Sequence, residues 1–399
     1  GGVRAVRSIR EGPRTPSPRS DRAIGCPLRS ATDPSAHLAV SLFLEAIEGP
    51  EDLRRLSADD LAALADLVRE SRIVTLTGPG GVGIRTRYAS MLAHLAARWA
   101  GRGDKNAADG AAVDAMRSTI NDVAMDGVVV IGEGEKDDAP WLYNGERVGN
   151  GTGFQSDIAV DPIDGTKLTA KGRPGAISVI AVGTRGSMFD PGPCVYMEKL
   201  AVGPAGRGAV DLTASYTDNL KELAKRLGKT VSELGVVILD RERHDHIVEE
   251  VRSAGARILS ISDGDVAGAI ATAWPASGAD ILFGIGGTPE GVIAAAALKG
   301  LGGEIQGRLW PRNDNERTAA IAAGYDVAKV LTTDDLFAGD DGFFSMTAIT
   351  DGDFLRGVRY FDFGAITHSM VVRAKTGTVR TIETIHRHDK NASFSTAGL

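Results

Sequence analysis

The residues able to do chemistry gather where short apolar runs end. Asp161-Pro162-Ile163-Asp164-Gly165-Thr166 follows the run Ile158–Val160. Its two carboxylates flank a turn that Pro162 is expected to force, so both can face one point. Thr166 comes after a glycine, at the expected first turn of a helix, where free N–H groups attract anions. Gly132-Glu133-Gly134-Glu135 closes the run Val128–Ile131 and leaves Glu133 with little steric cover. Asp104 and Asp109 open a segment whose Val113, Met116, Ile120 and Val123 share one helical face, predicted to end near Gly127. Gly286-Gly287-Thr288-Pro289-Glu290-Gly291 sets Glu290 just inside another helix. Taken singly, each acid reads as a turn residue or a cap. Together they form an all-oxygen donor set without His or Cys, which suits hard divalent cations, Mg²⁺ or Mn²⁺. Four or five converging carboxylates repel one another unless cations stand among them. Two such ions about 4 Å apart clamp a phosphate and activate water for in-line attack.

Elements that could position these acids alternate along the chain from Ala89 onward. Strands are predicted at Val128–Ile131, Ile158–Val160, Ile177–Val182, Gly235–Leu239, Ile258–Ile261 and Ile281–Ile285. Helices are predicted around Ile247–Arg252, from Asp263, and near Pro289. Strand–loop–helix succession of this kind implies a layered, mixed α/β architecture. Glycine is in excess, 50 of 399 residues, against a usual ~7%. It has no Gly-X-Y period, so the surplus belongs in turns where backbone approaches a ligand.

Composition narrows the function class. With 45 Lys+Arg against 52 Asp+Glu and only 5% aromatic residues, neither a basic nucleic-acid binder nor a base-stacking platform is expected. Two distant cysteines argue for a reducing compartment, and no apolar run is long enough to cross a bilayer. Cytoplasm is the expected location, with no nucleic-acid or membrane partner. Residues 1–36, rich in Arg, Ser and Pro, read as a disordered tail, and 389–399 as a second tail. Residues 37–86 read as a helical and glycine-turn leader. Its Gly78-Pro79-Gly80-Gly81-Val82-Gly83 looks like a phosphate loop, but Ile84 and Arg85 stand where Lys and Ser/Thr are required. A degenerate glycine turn is the simpler reading; the alternative is a nucleotide-binding, non-catalytic protein. Gly284-Ile285-Gly286-Gly287 starts like a dinucleotide fingerprint, and Pro289 in place of its third glycine ends that reading. His244 and His246 are expected to cap or pack rather than bind metal.

Residues 89 to about 387 resemble the class II fructose-1,6-bisphosphatases of bacteria. The resemblance is carried by Gly101-Arg102-Gly103-Asp104-Lys105-Asn106, Asp109 through Val113, Gly132 through Lys136, Leu142 through Glu146, Val160 through Thr166 and Tyr196-Met197. It continues through Arg243-His244, Asp263 through Ala267, Gly284 through Gly291 and Thr350 through Asp353. The Asp-Pro-Ile-Asp-Gly-Thr hexapeptide alone is shared by the wider superfamily of lithium-sensitive sugar and inositol phosphatases. The resemblance implies an α-β-α-β-α sugar-phosphatase unit over 87–388, a homo-oligomer, and removal of the 1-phosphate of fructose 1,6-bisphosphate in gluconeogenesis. Sedoheptulose 1,7-bisphosphate and inositol phosphates are the neighbouring substrates. Asp109 and Glu133 match acids for one metal; Asp161, Asp164 and Glu290 match those for a second. Some members have Glu where Asp164 stands here, which bears on metal preference. The segment Asp164-Gly165-Thr166 matches substrate contacts, as do Tyr196, Arg241-Glu242-Arg243, Asp263-Gly264-Asp265 and Gly287. Thr166 matches the hydroxyl that orients the attacking water. Guanidiniums at Arg241 and Arg243 suit a phosphate, and carboxylates at Asp263 and Asp265 suit sugar hydroxyls.

Overall fold

The computed structural model describes Ala93 and residues 96–121, 123–134 and 142–387. The chain divides into two units, Gly1–Gly81 and Val82–Leu399, and every described residue belongs to the second. The expected tails at 1–36 and 389–399, the leader at 37–86 with its Gly78–Gly83 loop, and Glu135 lie outside the described residues.

The first elements are α1 (Lys105–Ile120), β1 (Met125–Ile131), β2 (Arg147–Val148), β3 (Phe154–Asp164), α2 (Thr166–Lys171), β4 (Ile177–Thr184) and β5 (Tyr196–Val202). Next come α3 (Tyr216–Leu227), β6 (Gly235–Leu239), α4 (Asp245–Ser253), β7 (Arg257–Ile261), α5 (Asp265–Ala271), β8 (Ile281–Gly287), α6 (Thr288–Leu301) and β9 (Glu304–Leu309). The last are α7 (Asp314–Ala322), β10 (Val330–Leu331), α8 (Thr333–Leu336), β11 (Phe343–Ala348), β12 (Arg359–Phe361), β13 (Gly364–Arg373) and β14 (Thr378–Arg387).

Two mixed sheets result. One runs β12-β13-β11-β4-β3-β1-β2, with β14 also paired to β13; the other runs β10-β9-β5-β8-β6-β7. Period-2 alternation sorts each sheet's residues between two cores. Ile158, Val160, Ile180 and Val182 meet Val113, Met116 and Ile120 of α1 on the outer side of the first sheet. Their neighbours Ala159, Val179 and Ala181 face the centre, together with Met197, Ala201, Val237 and Leu282 of the second sheet. Leu200, Val202, Val236, Ile238 and Phe283 face outward onto α3 and α4. The central layer holds α5 and α6. Ten of the fourteen residues of α6 are buried, and its run Ala294–Ala297 keeps it slim enough to lie between two sheets. The order is α-β-α-β-α, the layering that the family resemblance implied.

Three local expectations are corrected. Pro162 makes no turn: β3 continues to Asp164, and its pairing passes from Asp161↔Val179 to Asp164↔Ile177. Two residues there oppose one, a bulge that absorbs the ladder donor Pro162 lacks. Helix α1 ends at Ile120, short of Val123 and Gly127, because Met125 already pairs with Phe154 in the sheet. Helix α5 begins at Asp265 rather than Asp263, after Gly264 in the left-handed region at φ +83°. No helix among the described residues is long and apolar enough to cross a membrane.

Candidate active site

Strand ends and helix starts converge on a cavity of about 260 Å³. Five of the carboxylates come from four elements. Asp109 stands one turn into α1, whose N-cap Asp104 accepts from the Ala107 N–H at 3.0 Å. Glu133 lies just past β1. Its loop is held by the returning segment: the Gly132 N–H donates to Asn144 Oδ1 at 2.9 Å and the Glu133 N–H to the Leu142 carbonyl at 2.9 Å. Leu142 reaches that position with φ +56° although it is not glycine, a strain of roughly 1–3 kcal/mol that the surrounding contacts must offset. Asp161 and Asp164 end β3 at the bulge; Asp161 Oδ1 accepts from the Ile163 N–H at 3.0 Å, and Asp164 Oδ2 from the Ala267 N–H at 3.2 Å. Gly165, at φ +96°, turns the chain from β3 into α2, a conformation that costs only glycine nothing. Glu290 stands in the first turn of α6 after Pro289.

Thr166, Gly165, Asp263, Gly264, Asp265 and Gly287 complete the acidic wall, and Tyr196, Arg241 and Arg243 supply the aromatic and cationic part. Arg243 donates through Nε and Nη2 to the Ile285 carbonyl, at 3.0 and 2.7 Å, and its guanidinium lies 5.2 Å from the Tyr196 ring centroid. Arg241 donates to the Asp240 and Ser262 carbonyls at 2.8 Å and approaches Asp263 at 3.5 Å. Each fork is therefore anchored on backbone, with only the remaining donors left for an anion. Glu242 is the exception among the sequence-derived residues. It heads the short turn Glu242–His244 between the two arginines, is exposed, and is not on the wall.

Sequence reasoning missed Lys199, whose Nζ lies 2.6 Å from Asp265 Oδ2. Its signal was its parity: Met197, Lys199 and Ala201 alternate along β5, and a lysine between two core residues rarely lacks a buried partner. Ile163, Leu239 and Gly286 also line the cavity. A second cavity of about 300 Å³ on the other side of Asp263-Gly264 is walled chiefly by apolar residues, Leu259, Ile261, Ala267 and Phe354 among them.

Burial and mutual repulsion push the site acids upward. Glu133 is raised to about 8, first by burial and then by Asp109 and Glu290. Asp161 is raised well above the usual range by burial, with Asp164, Glu133, Glu290 and Asp109 adding to it. Asp164 is raised likewise, by burial, then Asp265 and Glu290, against the Ala267 N–H. Glu290 and Asp109 are raised by burial, opposed by Lys199 and Lys105 respectively. Glu290 Oε2 is buried with no hydrogen-bond partner. Among the described residues no three His, Cys, Asp or Glu side chains converge on one coordination point. The five acids are thus gathered on one wall without forming a closed cage. An orphaned carboxylate oxygen within an all-carboxylate set fits a hard divalent cation.

His244, wholly buried, fastens the arginine turn. Its Nδ1 meets the Leu239 carbonyl at 2.7 Å, and the Ile285 N–H donates to Nε2 at 2.8 Å. Nε2 also lies 3.1 Å from the Ile285 carbonyl, and the shorter contact from the Ile285 N–H suits the neutral ring protonated on Nδ1. Burial lowers its pKa below 6.5. The unfolded chain therefore takes up the proton first as pH falls, and stability drops below about pH 6.5. Denaturant midpoints measured between about pH 5 and 8 should fall toward acid less steeply in His244→Gln than in the unsubstituted protein. Equal slopes would remove His244 from this role.

The model of the family described as bacterial fructose-1,6-bisphosphatase, glpX-encoded, matches residues 85–386. The chain is 47% identical over 306 residues to fructose-1,6-bisphosphatase 1 class 2 of Escherichia coli K12, covering 73% of this chain and 91% of that protein. The same figures hold for the fructose-1,6-bisphosphatase class 2 proteins of Escherichia coli O6:H1 and Shigella flexneri. With its layered fold, its acids collected at strand ends and its match over three quarters of its length, the chain belongs to the bacterial class 2 fructose-1,6-bisphosphatase family.

Proposed function

We propose that this chain hydrolyses the 1-phosphate of D-fructose 1,6-bisphosphate, giving fructose 6-phosphate and phosphate, within a catalytic unit spanning 87–388. The observation that carries the reading is one cavity lined by seven carboxylates, the Thr166 hydroxyl and two guanidiniums, in a chain of this family.

Asp109 and Glu133 would hold one Mg²⁺ or Mn²⁺, and Asp161, Asp164 and Glu290 a second. When bound, such ions polarise the phosphoryl oxygens and lower the pKa of an attacking water. Thr166 Oγ1 donates to the Ile163 carbonyl at 3.2 Å, which leaves its lone pairs to accept from that water and orient it. The unspent donors of Arg243, stacked on Tyr196, face phosphate oxygens, and Arg241 completes the same end. Asp263 and Asp265 accept from sugar hydroxyls. Phosphate release should require added Mg²⁺ or Mn²⁺ and be faster from fructose 1,6-bisphosphate than from inositol 1-phosphate or sedoheptulose 1,7-bisphosphate. Release from none of them with either metal would contradict the proposal.

Metal and proton should compete for the same acids. Glu133 rises from 4.5 to about 8 on folding without metal. The metal-free protein therefore binds more protons than the unfolded chain, and this contribution to stability is lost as pH rises from 4.5 toward 8. Added Mg²⁺ should release protons near neutrality and raise the melting temperature more at about pH 8 than at about pH 6. An equal rise at both would count against these acids as ligands.

A further inference from the structure

Lys199 has no role in the reading above, and its surroundings give it one. It is 4% exposed and is the only lysine among the buried polar residues described. Its Nζ lies 2.6 Å from Asp265 Oδ2 and donates to the Gly287 carbonyl at 2.8 Å. Asp265 is the first residue of α5, and Gly287 is the residue from which α6 departs. One ammonium thus ties together two helix starts that each serve the cavity. The α5 start holds Asp164 through the Ala267 N–H, and the α6 start carries Glu290.

The neighbouring glycines make room for it. A Cβ at Gly286 would overlap the Asp265 carboxylate and press on Lys199 Nζ, and one at Gly291 would overlap Met197 Sδ beside Lys199 Cδ. Burying an ammonium costs several kcal/mol unless a partner compensates it, and removing one member of such a pair leaves the other charge uncompensated. Here the pairing also fixes geometry. With Oδ2 held by Lys199, the Asp265 carboxylate is fixed on the cavity lining before substrate arrives.

We infer that Lys199 is a positioning residue that acts through Asp265 and the Gly287 carbonyl to set the sugar-hydroxyl side of the site, and so governs substrate affinity more than turnover. The inference rests on the proposed sugar-bisphosphate reading. A mutant cycle on the full chain tests it, with steady-state kinetics on fructose 1,6-bisphosphate at saturating Mg²⁺. Lys199→Met should raise KM about tenfold or more, the size expected for a lost charge-assisted hydrogen bond, with kcat reduced by less than about threefold. Lys199→Arg, which keeps the charge, should recover part of that loss. Asp265→Asn should raise KM on its own, and adding Lys199→Met to it should change KM by less than about twofold. Should Lys199→Met fail to fold by circular dichroism, Lys199→Arg with and without Asp265→Asn carries the same comparison. Effects that multiply in the double variant, or a kcat loss without a KM change, would overturn the inference. No turnover by the unsubstituted chain would instead overturn the substrate reading beneath it.

Discussion

Asp161→Asn is expected to abolish turnover, lowering kcat by about 10⁴-fold or more while leaving a folded protein. The amide keeps the side chain's size and, with Oδ1 still facing the Ile163 N–H, its one local hydrogen bond. It loses the charge. Asp161 is buried against Asp164, Glu133, Glu290 and Asp109, all of which push its pKa up. As a group raised on folding, it adds stability to the metal-free protein at low pH and loses that contribution as pH rises. Metal-free Asp161→Asn should therefore melt at or a few degrees above the unsubstituted metal-free chain near neutral pH. It should also lose most of the stabilisation that added Mg²⁺ gives. Loss of activity joined to gain of metal-free stability is the signature of a ligand, and a merely structural residue would lose both. Activity within tenfold of the unsubstituted chain would refute the assignment.

Thr166→Val is the second large effect, about 10²–10³-fold in kcat with little change in KM. Valine matches threonine in shape at the first position of α2, so helix and backbone should persist. What disappears is the hydroxyl that donates to the Ile163 carbonyl and can accept from a water. Thr166→Ser restores that oxygen and should recover most of the rate. Stopped assays on the three proteins at saturating metal and substrate decide it. A valine variant within threefold of the unsubstituted chain would mean that the water is oriented elsewhere.

Both predictions concern residues already visible in the chain. Asp161, Asp164 and Thr166 stand out because acids, glycine and a hydroxyl follow an apolar run, and a strand end must place them together. Glu133 and Glu290 are legible for the same reason, each set among glycines at the end of a strand. Lys199 was hidden, because its partner Asp265 lies 66 residues onward at the start of α5, and only the folded chain sets that helix start beside β5. Glu242 came with the Arg241-Glu242-Arg243 stretch from the resemblance, and its exposed side chain lies off the cavity wall that its two neighbours line. The fold divides similarly. Short apolar runs mark the strands, but their alternation within β3 and β4, which separates the α1 core from the central one, shows only once both flanking layers are present. The bulge at Pro162 required knowing that β4 lies alongside. The central position of α6 was written in a helix apolar on every face, a pattern that alone does not distinguish a buried helix from an ordinary core one.

The central claim is that this cavity removes one phosphate, the 1-phosphate, with the help of divalent metal. A ³¹P NMR time course on fructose 1,6-bisphosphate tests it most directly, with metal-stripped protein before and after addition of Mg²⁺ or Mn²⁺. The 1-phosphate resonance should stay constant without metal. After addition it should decay into one equivalent of inorganic phosphate while the 6-phosphate resonance persists. Decay of the 6-phosphate first, or no decay with either ion, would contradict the account.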